Sequence, residues 1–118
     1  MNKKKINKPW GYEYLIEKNK KYMVKKLFMK KGHRCSLQFH KKKMETIFIV
    51  SGCLRIFYGK DKSKLNFKTF KSQNTITLKP KIIHRMQAVT DCIYLEASTP
   101  ENTDVVRLSD DYNRKVIN

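Results

Sequence analysis

Gly32-His33-Arg34-Cys35-Ser36-Leu37-Gln38-Phe39-His40-Lys41-Lys42-Lys43-Met44-Glu45-Thr46-Ile47-Phe48-Ile49-Val50-Ser51-Gly52 is the stretch on which the fold turns. Between its two glycines the chain alternates as a strand, breaks at three lysines and resumes as a second strand rich in β-branched and aromatic residues. Residues two apart in a strand share a face, so Gln38 and His40 project together. Glu45 can return to them from the next strand, across the Lys41-Lys42-Lys43 turn. An amide, an imidazole and a carboxylate brought to one point are the side chains of a metal site. A fourth ligand has to come from a distant strand, and His84, just after Lys79-Pro80, is the natural candidate. Neutral imidazole and carboxylate suit Zn, Mn, Fe, Co or Ni, with an amide oxygen as a weaker ligand. A mixed nitrogen and oxygen set without thiolate leaves positions open for water or a substrate oxygen, the catalytic type of site.

The same texture runs outward in both directions. Short apolar stretches recur about every ten residues: Tyr12 to Ile16, Tyr22 to Met29, Cys35 to His40, Glu45 to Val50, Cys53 to Tyr58, Leu65 to Phe70, Asn74 to Leu78, His84 to Val89 and Cys92 to Ala97. Breakers such as Lys31-Gly32, Ser51-Gly52, Ser72-Gln73-Asn74 and Thr99-Pro100 separate them. No segment before residue 100 keeps a helical period, and the last stretch could form a strand and then a short turn or helix. The pattern predicts an all-β sandwich or barrel. With 118 residues, residues 1–118 are expected to be one domain, with a flexible basic tail over residues 1–7.

The formal net charge of +17 invites a nucleic-acid reading. The lysines are spread along the whole chain, however, and far outnumber the arginines. Together with abundant Asn and Ile this is the signature of A/T-rich coding. Nucleic acid is therefore not an expected partner; an anionic small ligand fits better. Three widely spaced cysteines argue against a disulfide framework and for a reducing, cytoplasmic setting, as small buried hydrophobes. No secretory h-region and no run of 18 apolar residues occurs, so no membrane segment is expected.

The opening stretch resembles the first cupin motif, G(X)5HXH(X)3,4E(X)6G, at every position except that Gln38 stands for the first His; a later P-x-G-x-x-H would end on His84. The chain is more similar still to the cupin domain of type II mannose-6-phosphate isomerases. That domain opens with R-P-W-G, continues with V-K-R and G-x-R-L-S-L-Q-x-H-H-H-R-x-E, and closes with E-D-D-I-V-R-x-x-D-x-Y-G-R. Here Lys8-Pro9-Trp10-Gly11, Val24-Lys25-Lys26, Gly32 to His40, Glu45, Glu96 and a tail from Asn102 reading NTDVVRLSDDYNR match it, from Lys8 to Arg114. Departures are Lys41 and Lys42 for His, Thr46-Ile47 for His-Trp, Lys79 to Ile83 around a lost Pro-x-Gly, and Asn113 for Gly. No Gly-rich nucleotide loop accompanies these residues, so nucleotidyl transfer is not expected.

The resemblance implies a small double-stranded β-helix, jelly-roll-like, holding one divalent transition metal, zinc first, on Gln38, His40, Glu45 and His84. It implies a metal-dependent isomerase interconverting mannose 6-phosphate and fructose 6-phosphate through an enediol, in carbohydrate or polysaccharide-precursor metabolism. Lys25, Glu96 and a metal-bound hydroxide stand as candidate bases. Arg34 and Arg114 are the candidates for phosphate or oxyanion contact, Arg114 also within the catalytic set. Another cupin enzyme on an activated sugar, such as an epimerase acting on a sugar nucleotide, and a non-catalytic sugar- or metal-binding cupin are the competing expectations. Cupins commonly pair through sheet edges, so a homodimer with a swapped strand over Tyr12 to Ile16 is also expected.

Overall fold

In a computed structural model the chain, described here over residues 4–116, folds into eleven strands and no helix among the described residues. They are β1 (Lys4–Lys8), β2 (Gly11–Lys18), β3 (Met23–Met29), β4 (Leu37–His40), β5 (Glu45–Ser51), β6 (Cys53–Gly59), β7 (Asn66–Lys71), β8 (Thr75–Leu78), β9 (Ile83–Ala88), β10 (Cys92–Ser98) and β11 (Val105–Ser109). Every pairing is antiparallel. A six-stranded sheet runs β1-β2-β3-β10-β5-β8 and a five-stranded sheet runs β11-β4-β9-β6-β7.

Consecutive strands keep crossing from one sheet to the other, which is the jelly-roll arrangement of a small β-barrel. Ser51-Gly52 is one such crossing: β5 lies in the first sheet and β6 in the second. Gly52 sits at φ 87°, and a Cβ there would run into the Asp91 carbonyl. Between the sheets lies an apolar core in which Ile47, Ile49, Leu54 and Ile56 are completely buried. Each contributes about 1.5–3 kcal/mol by leaving water. The alternation read from the sequence is literal in β3, where Met23, Lys25, Leu27 and Met29 are buried and the residues between them are half-exposed.

Three expectations need correction. The basic stretch expected as a flexible tail is a strand from Lys4 onward, and residues 1–3 lie outside the described residues. Pro9-Trp10 turns the chain from β1 to β2 and seats the Trp10 ring in the core, which registers Lys8 against Gly11 and Lys4 against Leu15. Tyr12 to Ile16 lies within β2 and pairs on both sides inside its own sheet, with β1 and β3, so it is not swapped out. The chain after β11 makes a turn at Asp111-Tyr112 without a helix. Cys35 and Cys92 are buried, as expected of small hydrophobes, and Cys53 is half-buried. No described helix could cross a membrane.

Candidate metal centre

Two strands of one sheet and one of the other aim their side chains at a common point. Gln38 and His40 come from β4, directly beside β9, where Gln38 pairs with His84. Glu45 opens β5 on the facing sheet. The Lys81 amide donates to the His40 carbonyl at 2.7 Å, which ties the end of β4 to the turn before β9. His40, Glu45 and His84 are all buried, and their ligand atoms lie within 4.8 Å of one another.

The proton placement around the two rings favours metal ligation. His40 Nδ1 is 3.2 Å from Asp104 Oδ1, and His84 Nδ1 is 3.0 Å from the Ile82 carbonyl. A carbonyl only accepts, so His84 carries its proton on Nδ1; the Asp104 carboxylate selects the same tautomer in His40. Both Nε2 lone pairs then turn inward, towards Glu45 Oε1, at 3.7 Å from His40 and 3.1 Å from His84. His84 Nε2 and Glu45 Oε2 are buried without a hydrogen-bond partner, the short His84 to Glu45 approach being out of line for one. A lone pair facing a carboxylate oxygen is attractive only when positive charge lies between them, a second ring proton or a metal cation. This donor set therefore fits the divalent metal expected from the sequence. Outer partners that orient ligating histidines in this way are the usual companions of such sites. Gln38 faces the same cavity, its Oε1 accepting from Ser36 Oγ at 2.6 Å.

Beside these residues sits a group the sequence reading had placed in a solvated turn. Lys43 is buried, with Nζ 2.7 Å from Glu96 Oε2 and 3.5 Å from Glu45 Oε2. Burial works against its ammonium, but Glu96 and Glu45 outweigh that and raise its pKa. One ammonium between two carboxylates cannot neutralise both. Burial alone would raise Glu45, yet the His84 ring, in the form that carries a second proton, and the Lys43 ammonium hold it well below the ordinary carboxylate range, whereas burial and the charge of Glu45 push Glu96 up to about 7. Burial lowers the pKa of His40.

These groups form the floor of a cavity of about 250 Å³. Of the residues picked from the sequence, Lys25, Gln38, His40, Glu45, Glu96 and Arg114 line it; His84 does not, and stands against Glu45, with Nε2 3.1 Å from Oε1. Lys25 reaches sideways to Glu13 at 2.7 Å and Asn102 at 3.3 Å. Arg114 is held by a fork to the buried Asp110 carboxylate, at 3.1 and 2.9 Å. Arg34 is not brought to the cavity. Its guanidinium makes the same kind of fork, at 2.6 and 3.0 Å, to Asp111 on the surface, so it closes the C-terminal turn onto the barrel instead of contacting a ligand there.

Sequence reasoning missed three residues here. Lys43 is two positions before Glu45, and that spacing was signal enough to put it on the same face. Asp104 orients His40 and also accepts from the Lys42 and Lys43 amides at 2.7 and 2.9 Å. Arg107 faces the cavity opposite Gln38, with a buried Nε that has no partner. Five cationic side chains, Lys8, Lys25, Lys43, Arg107 and Arg114, line the cavity against three carboxylates, Glu13, Glu45 and Glu96. Its field therefore favours an anionic ligand.

The family model described as mannose-6-phosphate isomerase, C-terminal, matches residues 1–110. A mannose-1-phosphate guanylyltransferase 2 of Escherichia coli O157:H7 is 34% identical over 62 residues, which is 52% of this chain and 13% of that one. This chain thus spans a small part of that relative. Among solved structures, the capsular polysaccharide assembling protein CapF of Staphylococcus aureus superposes with a TM-score of 0.77 at 14% identity, over 92% of this chain and 32% of its own. Oxalate decarboxylase of Bacillus subtilis gives 0.80 at 14%, over 91% and 30%. An RmlC-like cupin of Shewanella frigidimarina gives 0.75 at 16%, over 86% and 87%. At such identities these likenesses speak for the cupin fold alone.

Proposed function

The chain belongs to the mannose-6-phosphate isomerase C-terminal family, a cupin domain, and on that premise we propose that it is a metal-dependent sugar-phosphate isomerase of the mannose 6-phosphate to fructose 6-phosphate type. The observation that carries the reading is the buried row His40, His84, Glu45, Lys43, Glu96. It sets a donor set for a cation directly beside an acid–base group, at the floor of a cavity with a cationic lining. Gln38, His40, Glu45 and His84 would hold the metal, zinc or one of Mn, Co, Ni and Fe. When bound, it supplies Lewis acidity that polarises a carbonyl oxygen and makes the neighbouring C–H more acidic.

The chain's own residues do the rest. Glu96 takes the proton from the carbon next to the carbonyl and returns it to the former carbonyl carbon, while the hydroxyl proton passes to the former carbonyl oxygen. Lys43 holds Glu96 in place and offsets the charge that builds on the substrate oxygens. Arg107 and Arg114 receive the phosphate, Arg114 being already oriented by Asp110. Lys25, tied to Glu13 and Asn102, shapes the wall and does not move a proton. The chain works in a reducing compartment, the cytoplasm, where its three thiols persist.

The test combines metal content with turnover of mannose 6-phosphate. Wild type purified without chelator is expected to carry about one transition metal per chain and to isomerise the sugar, and His40→Ala with His84→Ala to lose both. Glu96→Gln should keep the metal and lose kcat by on the order of 100-fold or more. Wild type that takes up metal and binds mannose 6-phosphate without turnover would instead identify a sugar-binding cupin. Wild type that takes up no Zn, Mn, Co or Ni would end the isomerase reading.

A further inference from the structure

Beyond β11 the chain has no further strand to hold it. Among the described residues the stretch 110–116 makes no backbone-to-backbone hydrogen bond, yet it delivers Arg114 to the cavity. Two neighbouring carboxylates of the turn hold it instead, and they face opposite ways. Asp110 turns inward, its side chain fully buried, and accepts from the Arg114 amide at 2.7 Å and from Nε and Nη2 of the same residue at 3.1 and 2.9 Å. Asp111 turns outward into the fork of Arg34, at 2.6 and 3.0 Å.

Arg34 stands on rigid ground. The Gly32 and Cys35 amides on either side of it donate to the Ala88 and Met86 carbonyls of β9 at 2.9 and 3.1 Å, and Arg34 itself bridges Gln87. Arg85 of β9 backs the same turn: its buried Nε donates to the Cys35 carbonyl at 2.9 Å, and Nη2 donates to the Ser109 carbonyl at 3.4 Å and lies 3.9 Å from Asp111. On the far side of the turn the half-buried Tyr112 packs on the core, with the Arg114 guanidinium 5.8 Å from its ring centroid. A guanidinium carries five N–H donors in a rigid fork. Asp110 engages Nε and Nη2 of Arg114, which leaves Nη1 for an oxygen of a ligand.

We propose that Arg34 is a positioning residue for the anion the cavity takes: through its fork to Asp111 it sets the terminal turn, and the turn, through Asp110, aims Arg114. The inference rests on the reading of Arg114 as a phosphate contact. The Arg34 and Asp111 side chains are 40% and 38% exposed, so their pairing contributes little to the stability of the barrel. Losing it should therefore loosen the turn and leave the strands and the metal centre as they are.

Asp111→Ala is the decisive variant, because charge and position act on it in opposite directions. Removing a carboxylate makes the chain more positive, which through the field alone would tighten an anion; losing the fork should weaken it. Calorimetric titration of the zinc-loaded chain with mannose 6-phosphate reads the difference. Asp111→Ala and Arg34→Ala should each weaken binding on the order of 10-fold, the loss of one charge-assisted hydrogen bond, with zinc content unchanged. Arg34→Lys keeps the charge without the fork and should recover only part. In an Arg114→Ala background, Asp111→Ala should add no further loss, since both act at one contact. Trypsin gives a second readout: cleavage after Arg114, followed by mass spectrometry, should run several-fold faster in Asp111→Ala than in wild type, with cleavage after Arg55 in β6 unchanged. Asp111→Ala that binds as tightly as wild type or tighter overturns the inference and leaves the isomerase reading standing. So does a full further loss in the Arg114→Ala background, or unchanged cleavage after Arg114. The expected pattern of binding without turnover supports the inference and ends the isomerase reading, whereas a wild type with no affinity for mannose 6-phosphate overturns both.

Discussion

Asp104 shows how much of the metal centre depends on residues that would never touch the metal. Its one carboxylate fixes the His40 ring through Nδ1 and accepts from the Lys42 and Lys43 amides, so it sets both the tautomer of a ligand and the path of the turn that delivers Lys43. Asp104→Ala frees the ring and leaves the Lys43 amide short of a partner. Zinc affinity should fall 10–100-fold, as for other outer-partner losses, with stability down by about 1–3 kcal/mol. A competition titration against a chromophoric chelator reads the first quantity and urea unfolding of the metal-free chain the second. Undiminished zinc affinity would mean that His40 does not ligate through Nε2. The ligands themselves were legible because they share one strand face and a motif. Asp104 was not, because sixty-odd residues separate it from His40, and only the β4–β11 pairing brings them together.

Among the elements, nine of the eleven strands were readable as apolar stretches between breakers, and β11 was anticipated in the tail. β1 was not, because Lys-Lys-Ile-Asn-Lys has a poor strand composition. Tertiary context decides there: the Pro9-Trp10 turn and the burial of Trp10 hold it against β2. The lost glycines mislead in the opposite direction. Lys81, three residues before His84 where the motif has Gly, still adopts φ 69°, and Asn113 keeps φ 62° in place of the Gly of Tyr-Gly-Arg. Backbone shape has outlasted the residue that made it cheap. Gly52 allows no such replacement, since its φ of 87° coincides with the Asp91 backbone pressed against the missing side chain. Gly52→Ala should therefore cost at least ~3 kcal/mol in chemical denaturation, against about 1 kcal/mol expected from left-handed backbone alone. A cost near the lower figure would show that the crossing between sheets can shift away from Asp91.

At the scale of the whole molecule the excess charge is a property of where the acids go. Of the ten, Glu13, Glu45, Glu96, Asp110 and Asp111 are paired within the barrel and its C-terminal turn to Lys25, Lys43, Arg114 and Arg34, and Asp104 is taken by His40 and two amides. Most of the surface lysines therefore have no counter-charge. Composition disclosed the +17 but not this segregation. Uncompensated like charges on a compact chain repel each other more than on an unfolded one, and screening relieves the compact state most. Raising sodium chloride from about 0.01 M to 0.15 M shortens the screening length from about 30 Å to about 8 Å. A relief of ~1 kcal/mol would lift Tm by roughly 3–6 °C in a domain of this size. The rise should be independent of protein concentration, as read by circular-dichroism melts at two concentrations. A Tm insensitive to salt would mean that the lysines are spaced widely enough not to sense one another.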